Sequence, residues 1–280
     1  MNEKGSVSAI ITTYKREPVV LIKAISSVLN QTYSVCEIIV VDDNPNDSVF
    51  SSQIIEALKP YKQIIYIKQD GNKGACAARN LGIRNSKGDY IAFLDDDDEW
   101  LPGKIEAQIA LFDEENVGLV SCCGFVKDSE SGKQEDYYNM DYFKDTISFN
   151  DLLVFDCVGS TSQPLIKRAC FDMVGDFWEE QPARQDYEMW LRIATKYSIK
   201  ATKEKLFVHY YHFGEQVSKN TERAYRGLFN IFKRYYKAYF RNKLALNSMA
   251  TRLYHTLNWD TPFRKFAMGV FKALTMLHKG

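Results

Sequence analysis

The stretch Tyr90-Ile91-Ala92-Phe93-Leu94-Asp95-Asp96-Asp97-Asp98-Glu99-Trp100 decides how the rest of the chain is read. A short apolar run ends abruptly in four aspartates. A run of this length without polar alternation is the pattern of a strand buried on both faces of a parallel sheet. Ligands of open α/β sheets sit beyond the carboxyl ends of the strands, so the acidic cluster is expected at the mouth of a crevice. Carboxylates crowded at one strand end repel each other unless a cation joins them. Hard oxygen ligands suit Mg2+ or Mn2+, ions that commonly bridge carboxylates to substrate phosphates. The expectation is that Asp95-Asp96-Asp97 holds a divalent ion carrying a diphosphate. The plainer alternative is a solvated acidic turn. An EF-hand calcium loop is excluded, because its sixth position needs glycine and, counted from Asp95, that position is Trp100. A phosphatase with an aspartyl nucleophile, which also carries Asp-x-Asp after a strand, stays open at this point.

Working outward, the same design recurs. Val7 to Thr12 reads as a first strand ending in Thr12-Thr13-Tyr14-Lys15-Arg16, and Pro18 opens a helix that runs to about Gln31. Cys36 to Val41 is a second buried strand that stops at Asp42-Asp43. The Asn44-Pro45-Asn46-Asp47 turn and a helix near Val49 to Leu58 follow. Ile64 to Ile67 is a third strand, Gly71-Asn72-Lys73-Gly74 a loop and Ala75 to Arg84 a helix. This alternation predicts an α/β fold with a mostly parallel, doubly wound sheet and right-handed crossovers. Hydroxyls and carboxylates end at least three of the strands, which structural polar residues do not usually do. After the aspartates, Pro102 to Phe112 reads as a helix, Val117 to Val126 as a strand, Arg168 to Val174 as a helix and Ile199 to Val208 as a last strand. The polar stretch Lys127 to Asp145 is either a flap over an acceptor or a surface hairpin.

Composition sets the outer limits. The 280 residues suit one large domain, or one domain with an appendage. A hydrophobic content of 45% with 26% charged residues excludes a disordered chain. The zero net charge hides an asymmetry: residues 219–280 carry 13 Lys/Arg against 2 Asp/Glu, while residues 1–218 carry 23 against 34. The expected organisation is a catalytic domain over residues 1–218 and a basic, aromatic-rich helical extension over 219–280. None of the six cysteines falls in a Cys-x-x-Cys or zinc spacing, and the N-terminus does not read as a signal peptide. A reduced, cytoplasmic location is therefore expected. No run reaches the ~18 apolar residues of a membrane span. Both G-x-G-x-x-G after the first strand and G-x-x-x-x-G-K-[ST] are absent, so a nucleotide would be held by another scheme.

Four ordered motifs carry a resemblance. They are Val7-Ser8-Ala9-Ile10-Ile11-Thr12-Thr13-Tyr14, Ile39-Val40-Val41-Asp42-Asp43, Asn72-Lys73-Gly74 with Ala78-Arg79-Asn80-Leu81-Gly82-Ile83, and Phe93-Leu94-Asp95-Asp96-Asp97-Asp98. Together the chain resembles family 2 glycosyltransferases with the GT-A fold, inverting enzymes that use nucleoside-diphosphate sugars. The resemblance implies that Thr12, Tyr14, Asp43, Gly74, Arg79, Asp95 and Asp96 serve the nucleotide sugar. Thr12 and Asp43 would lie at a uracil-like base and Asp96 near the ribose. Asp97 would bind Mn2+ or Mg2+. Arg79 either helps with diphosphate charge or is a helix-surface arginine. Further on, Gly175-Asp176-Phe177-Trp178-Glu179-Glu180 and Gln185-Asp186-Tyr187-Glu188 resemble the family's acceptor region. Gln185 replaces the usual glutamate of an acidic pair. Asp186 would be the base, with Trp178 and Glu180 as acceptor contacts. An acid at that place is also a helix N-cap worth ~1 kcal/mol, and this is the structural alternative. His212 is favoured over His209 as the histidine completing the metal site.

These implications converge on transfer of a sugar, with inversion, from a UDP-sugar to a hydroxyl of a glycan or lipid-linked acceptor. Surface polysaccharide or cell-envelope glycan synthesis is the expected setting. The rivals are a sugar-phosphate nucleotidyltransferase, which would want a glycine-rich basic loop after the first strand, and a non-catalytic membrane-associated binding module. The tail from Asn220 reads as two or three helices interleaving aromatic and basic residues. It suits either an anionic membrane surface, making the protein peripheral on the inner face of the cytoplasmic membrane, or packing on the catalytic body. Nucleic acid is not expected, since no nucleic-acid motif accompanies the basic patch.

Overall fold

The computed structural model describes residues 5–137, 144–211 and 221–256. Its centre is a mixed sheet. The first half holds β1 (Val7–Thr13), β2 (Glu37–Asp42), β3 (Ile64–Lys68) and β4 (Tyr90–Asp95), paired in parallel in the order β3-β2-β1-β4. The second half adds β9 (Leu165–Lys167), antiparallel to β4, then β6 (Val117–Asp128) and β10 (Ser198–Tyr211), which are parallel to each other. The short β5 (Glu99–Trp100), β7 (Gln134–Asp136) and β8 (Thr146–Ile147) pair with β10, β6 and β10 respectively. The expected mostly parallel sheet is observed, and β9 is the strand that interrupts it.

Helices cover both faces, which explains the uninterrupted apolar strands. In β1, Ile10 faces one core while Ala9 and Ile11 face the other. The second face carries α1 (Pro18–Leu29), α2 (Val49–Leu58) and α4 (Lys104–Ile109). On α1 the buried positions Leu21, Ala24, Ile25 and Val28 make one helical stripe. The first face carries α3 (Ala75–Asn85), α5 (Phe149–Val154), α6 (Arg168–Val174) and α7 (Gln185–Ala194), with α8 (Thr221–Arg241) and α9 (Lys243–Thr256) beyond them. Helix α4 is shorter than the Pro102–Phe112 pattern suggests, because Gly103 takes a left-handed φ of 86° before the helix begins. The Lys127–Asp145 region contains a hairpin: β7 pairs back onto β6, and the Gly132 N–H donates to the Asp128 carbonyl. Its residues 138–143 lie outside the description.

The helices from Thr221 onward pack on the body. Leu228, Ile231, Tyr239, Leu246, Met249 and Leu253 share one core with Tyr187, Met189 and Trp190 of α7. Each such side chain contributes on the order of 2 kcal/mol by leaving water. Gly227 permits the contact: a Cβ there would lie 2.3 Å from the Ala183 carbonyl oxygen. Across this contact the Gln181 amide donates to the Gly227 carbonyl at 3.0 Å. Further along, Glu188, fully buried, accepts from Arg192 at 3.0 Å and from Arg234 of α8. On α9, Ser248 and Arg252 donate to the Val154 and Leu153 carbonyls of α5. Among the described residues no helix is long and apolar enough to cross a membrane.

Candidate functional site

The parallel register lines up the polar strand ends. Thr13 of β1 sits opposite Asp42 of β2, and Thr12 sits opposite Asp95 of β4. The residues singled out after these strands therefore share the carboxyl edge of one sheet. Asp42 is fully buried and accepts from Asn44 and from the Tyr66 hydroxyl, so it is a girder of the β2 turn. Asp43 is buried too, and its carboxylate is filled. One oxygen accepts from the Gln69 amide and the Lys73 N–H, the other from the Asn72 amide and, at 2.9 Å, the Gly74 N–H. That uses the roughly four lone-pair positions a carboxylate offers. A nucleobase N–H reaches Asp43 only where Gln69 or Asn72 gives way. Gly74 takes φ 92° just before α3, in a backbone region that favours glycine. Thr12 is half-buried, while Tyr14 stands exposed at the edge with the Lys15 ammonium 5.3 Å from its ring centre.

The four aspartates divide into distinct roles. Asp95 accepts from Arg79 at 2.9 Å and from the Thr161 hydroxyl at 3.1 Å. Arg79 is buried, so the helix-surface alternative does not hold. Asp96 and Asp97 share one guanidinium: Arg16 Nε donates to Asp96 at 2.9 Å and Nη2 to Asp97 at 2.7 Å. Burial lowers the affinity of Arg16 for its proton, and the two aspartates more than restore it. At Asp96 burial wins instead, pushing the carboxyl up to about 7 against the pull of Arg16. Asp98 is fully buried, accepting from Ser162 at 2.6 Å and pairing with His209 Nδ1 at 2.8 Å. His209 is thus engaged by Asp98, and His212 lies outside the described residues.

A metal ion has a plausible donor set here only if the ligand brings most of it. Among the described residues no group of three His, Cys, Asp or Glu encloses a cation site. Asp96 and Asp97 already gather around one positive charge, which shows that they suit a cation. A small divalent ion is usually held by one or two carboxylates together with substrate phosphates and water, and this pair meets that requirement.

Asp186 lies in the first turn of α7, one residue inside the helix. Arg184, not Asp186, is the N-cap, with a left-handed φ of 58°, so the N-cap alternative for Asp186 fails. Its carboxylate accepts the N–H of its neighbour Tyr187 at 2.8 Å. Burial raises its pKa, while Arg79 and Arg184 pull it back and Asp95 adds to the rise. Arg79 therefore acts electrostatically on both Asp95 and Asp186. Gln185 turns its amide to the Gln181 carbonyl at 2.9 Å. Trp178 is half-buried with the Arg234 guanidinium 5.1 Å from its ring centre, and Glu180 is exposed.

One loop joins the two ends of the site. Thr161 binds Asp95, and Ser162 binds both the Asp95 N–H and Asp98. Gly159 is held by the Trp190 indole of α7 at 2.8 Å, and its own N–H donates to Asp156 at 3.1 Å. Tyr187 of α7 ties down the preceding helix through the Leu152 carbonyl. This anchoring sets Asp156 beside the first turn of α7, where burial and then the charge of Asp186 push its carboxyl up to about 7. Arg16, Asp156 and Ser162 are the site residues that sequence reasoning missed. The only prior signal was the Gly159-Ser160-Thr161-Ser162 run, rich in small polar residues.

Comparison with known proteins gives this geometry its context. Residues 8–168 match the family described as Glycosyl transferase family 2. Over 253 residues the chain is 30% identical to an Escherichia coli UDP-Glc:alpha-D-GlcNAc-diphosphoundecaprenol beta-1,3-glucosyltransferase, WfaP, covering 90% of this chain and 89% of that one. The fold is shared with S. aureus TarS solved with UDP-GlcNAc, at a TM-score of 0.66 and 17% identity over 96% of this chain and 81% of that one. It is shared equally with the mannosyltransferase PcManGT of Pyrobaculum calidifontis, solved with GDP-Man and Mn2+. There the TM-score is 0.61 and the identity 17%, over 98% of this chain and 81% of that one. The first curated relatives are much longer, and the chain spans about a fifth to a third of their length. With the motif edge, the mostly parallel sheet and the family match in agreement, the chain belongs to glycosyltransferase family 2.

Proposed function

We propose that the protein transfers a sugar from a nucleoside diphosphate, with UDP favoured, to a hydroxyl of a lipid-linked glycan acceptor, inverting the anomeric centre. One observation carries the reading. Arg79 binds Asp95 and its charge also acts on Asp186. This supports a donor site and a general base near each other.

In this reading Tyr14 offers an exposed ring and Thr12 a hydroxyl to the nucleobase. Asp43 shapes the Gly71–Gly74 wall, and Arg79 and Asp95 border the diphosphate. Asp96 and Asp97 would hold the divalent ion, which supplies charge neutralisation to the departing diphosphate. Asp186, half-buried and raised above the usual carboxylate range by burial, takes the proton from the acceptor hydroxyl as its oxygen attacks the anomeric carbon. Attack from the side of Asp186, opposite the diphosphate, gives inversion. Trp178 is the aromatic wall available to the acceptor, with Glu180 at its rim. The lipid-linked class of acceptor is favoured by the similarity to WfaP and by the basic, aromatic outer face of α8. A role in cell-envelope or surface polysaccharide synthesis follows from that class.

The test is calorimetric titration of UDP and GDP, with and without Mn2+, on the wild type and on Asp97→Ala. Binding of UDP that requires both Mn2+ and Asp97 is the expected result. Absence of nucleotide binding under every condition would reject the transferase reading for this chain.

A further inference from the structure

The ion pairs of Arg16 have a consequence for how the site loads. Arg16 follows Lys15, whose φ of 49° is unusual for a residue with a side chain. That conformation is held by a 2.7 Å hydrogen bond from the Lys15 N–H to the Asn44 side chain. The turn thus aims Arg16 across the crevice, where its fork spans Asp96 and Asp97 at 2.9 and 2.7 Å. The Arg16 side chain keeps 28% of its surface in water, so it is not locked into the protein interior. A divalent ion on Asp97 and a guanidinium on the same carboxylate would put like charges a few ångströms apart, and one must yield. The displaced guanidinium then needs an anion. Planar and bidentate, it suits a phosphate oxygen pair as well as it suits two carboxylates.

We propose that Arg16 is an internal counter-ion of the Asp96–Asp97 pair: it competes with the divalent cation and passes to the diphosphate when metal and nucleotide bind together. The inference rests on the donor-site reading above. It makes Arg16 a coupling element: the metal alone meets an occupied site, whereas metal with diphosphate offers Arg16 a second partner. Metal and nucleotide then raise each other's affinity by the same factor, as linkage requires.

The test uses Mn2+ alone and Mn2+ with UDP, followed by the electron paramagnetic resonance of free Mn2+, so no turnover is needed. The expected result is that Arg16→Gln binds Mn2+ alone about fivefold or more tighter than the wild type. The mutual enhancement between Mn2+ and UDP should shrink by about tenfold, within the usual range of coupling between sites. Arg16→Lys keeps the charge without the fork and is expected to fall between the two, and it also serves if the glutamine variant folds poorly. Asp97→Ala locates the signal: Mn2+ binding that survives it is elsewhere. If Arg16→Gln binds Mn2+ no better than the wild type, or keeps the full enhancement by UDP, the inference is overturned while the donor site stands. If the wild type binds no Mn2+ even with UDP, the metal-site reading falls and the inference falls with it.

Discussion

At the scale of single residues, the proposed chemistry turns on two interacting carboxylates, Asp186 and Asp156. Asp186 can act as base only when ionised, and burial raises its proton affinity. The acid limb of the rate–pH profile should therefore lie above the value near 4 of a free carboxylate. Asp156, pushed up to about 7, shares that titration, so the limb belongs to the pair. Replacing Asp156 with Asn removes a neighbouring negative charge, makes Asp186 less basic and moves the limb to lower pH. A limb that stays in place in Asp156→Asn would show that the two do not interact. Asp186→Asn should lower the transfer rate by about 10²–10⁴-fold with nucleotide affinity unchanged, measured by product formation beside calorimetry. The same shifts bear on stability. Two carboxylates that hold their protons more tightly when folded weaken the fold at pH above about 7, and the loss is relieved as pH falls toward 4.

At the scale of elements, the legible parts and the illegible parts have different physical origins. Strands β1, β2 and β4 were readable because burial on both faces writes itself as a local apolar run, and their polar ends marked the site edge. Asp156 and Ser162 were not readable: their meaning lies in partners 30 and 64 residues away, Asp186 and Asp98, and no local pattern encodes such a meeting. The same holds for Arg79, a polar residue on a short helix that looks solvent-facing until Asp95 arrives beneath it. His209 illustrates the converse, a residue that local pattern flagged but that Asp98 claims. Helix α8 offers a test of how far packing reaches the chemistry. Gly227→Ala drives a methyl to 2.3 Å from the Ala183 carbonyl, just ahead of Arg184 and Asp186. The expected cost is ~1–3 kcal/mol, read as a lower urea midpoint, together with a fall in turnover as the loop shifts. An unchanged midpoint would mean that α8 does not sit against this loop.

At the scale of the whole molecule, charge and exposure point one way. On α8, which kinks at Tyr235, Phe229, Tyr236 and Phe240 are exposed, and so are Arg226, Lys233 and Lys237. The inner face of the helix is committed to Leu228, Ile231 and Tyr239. The packing and membrane readings are therefore compatible, since each uses a different side of the helix. The protein should sediment with vesicles rich in phosphatidylglycerol and much less with phosphatidylcholine alone. Lys233→Gln combined with Lys237→Gln should weaken binding about thirtyfold, from ~1 kcal/mol per basic residue near an anionic surface. Equal retention on both vesicle types would remove the electrostatic part of this proposal.

The clamp that α8 and α9 place on α5 and α7 also fixes an order of events at the ribosome. The strands β1, β2 and β4 that carry the polar edge are all made by Asp95. The loop before Asp186 gains its support from Gly227, α7 from Arg234 and α5 from Arg252 only when residues far downstream have been made. A nascent chain therefore makes the strands of the aspartate edge early and the helices that brace Asp186 last.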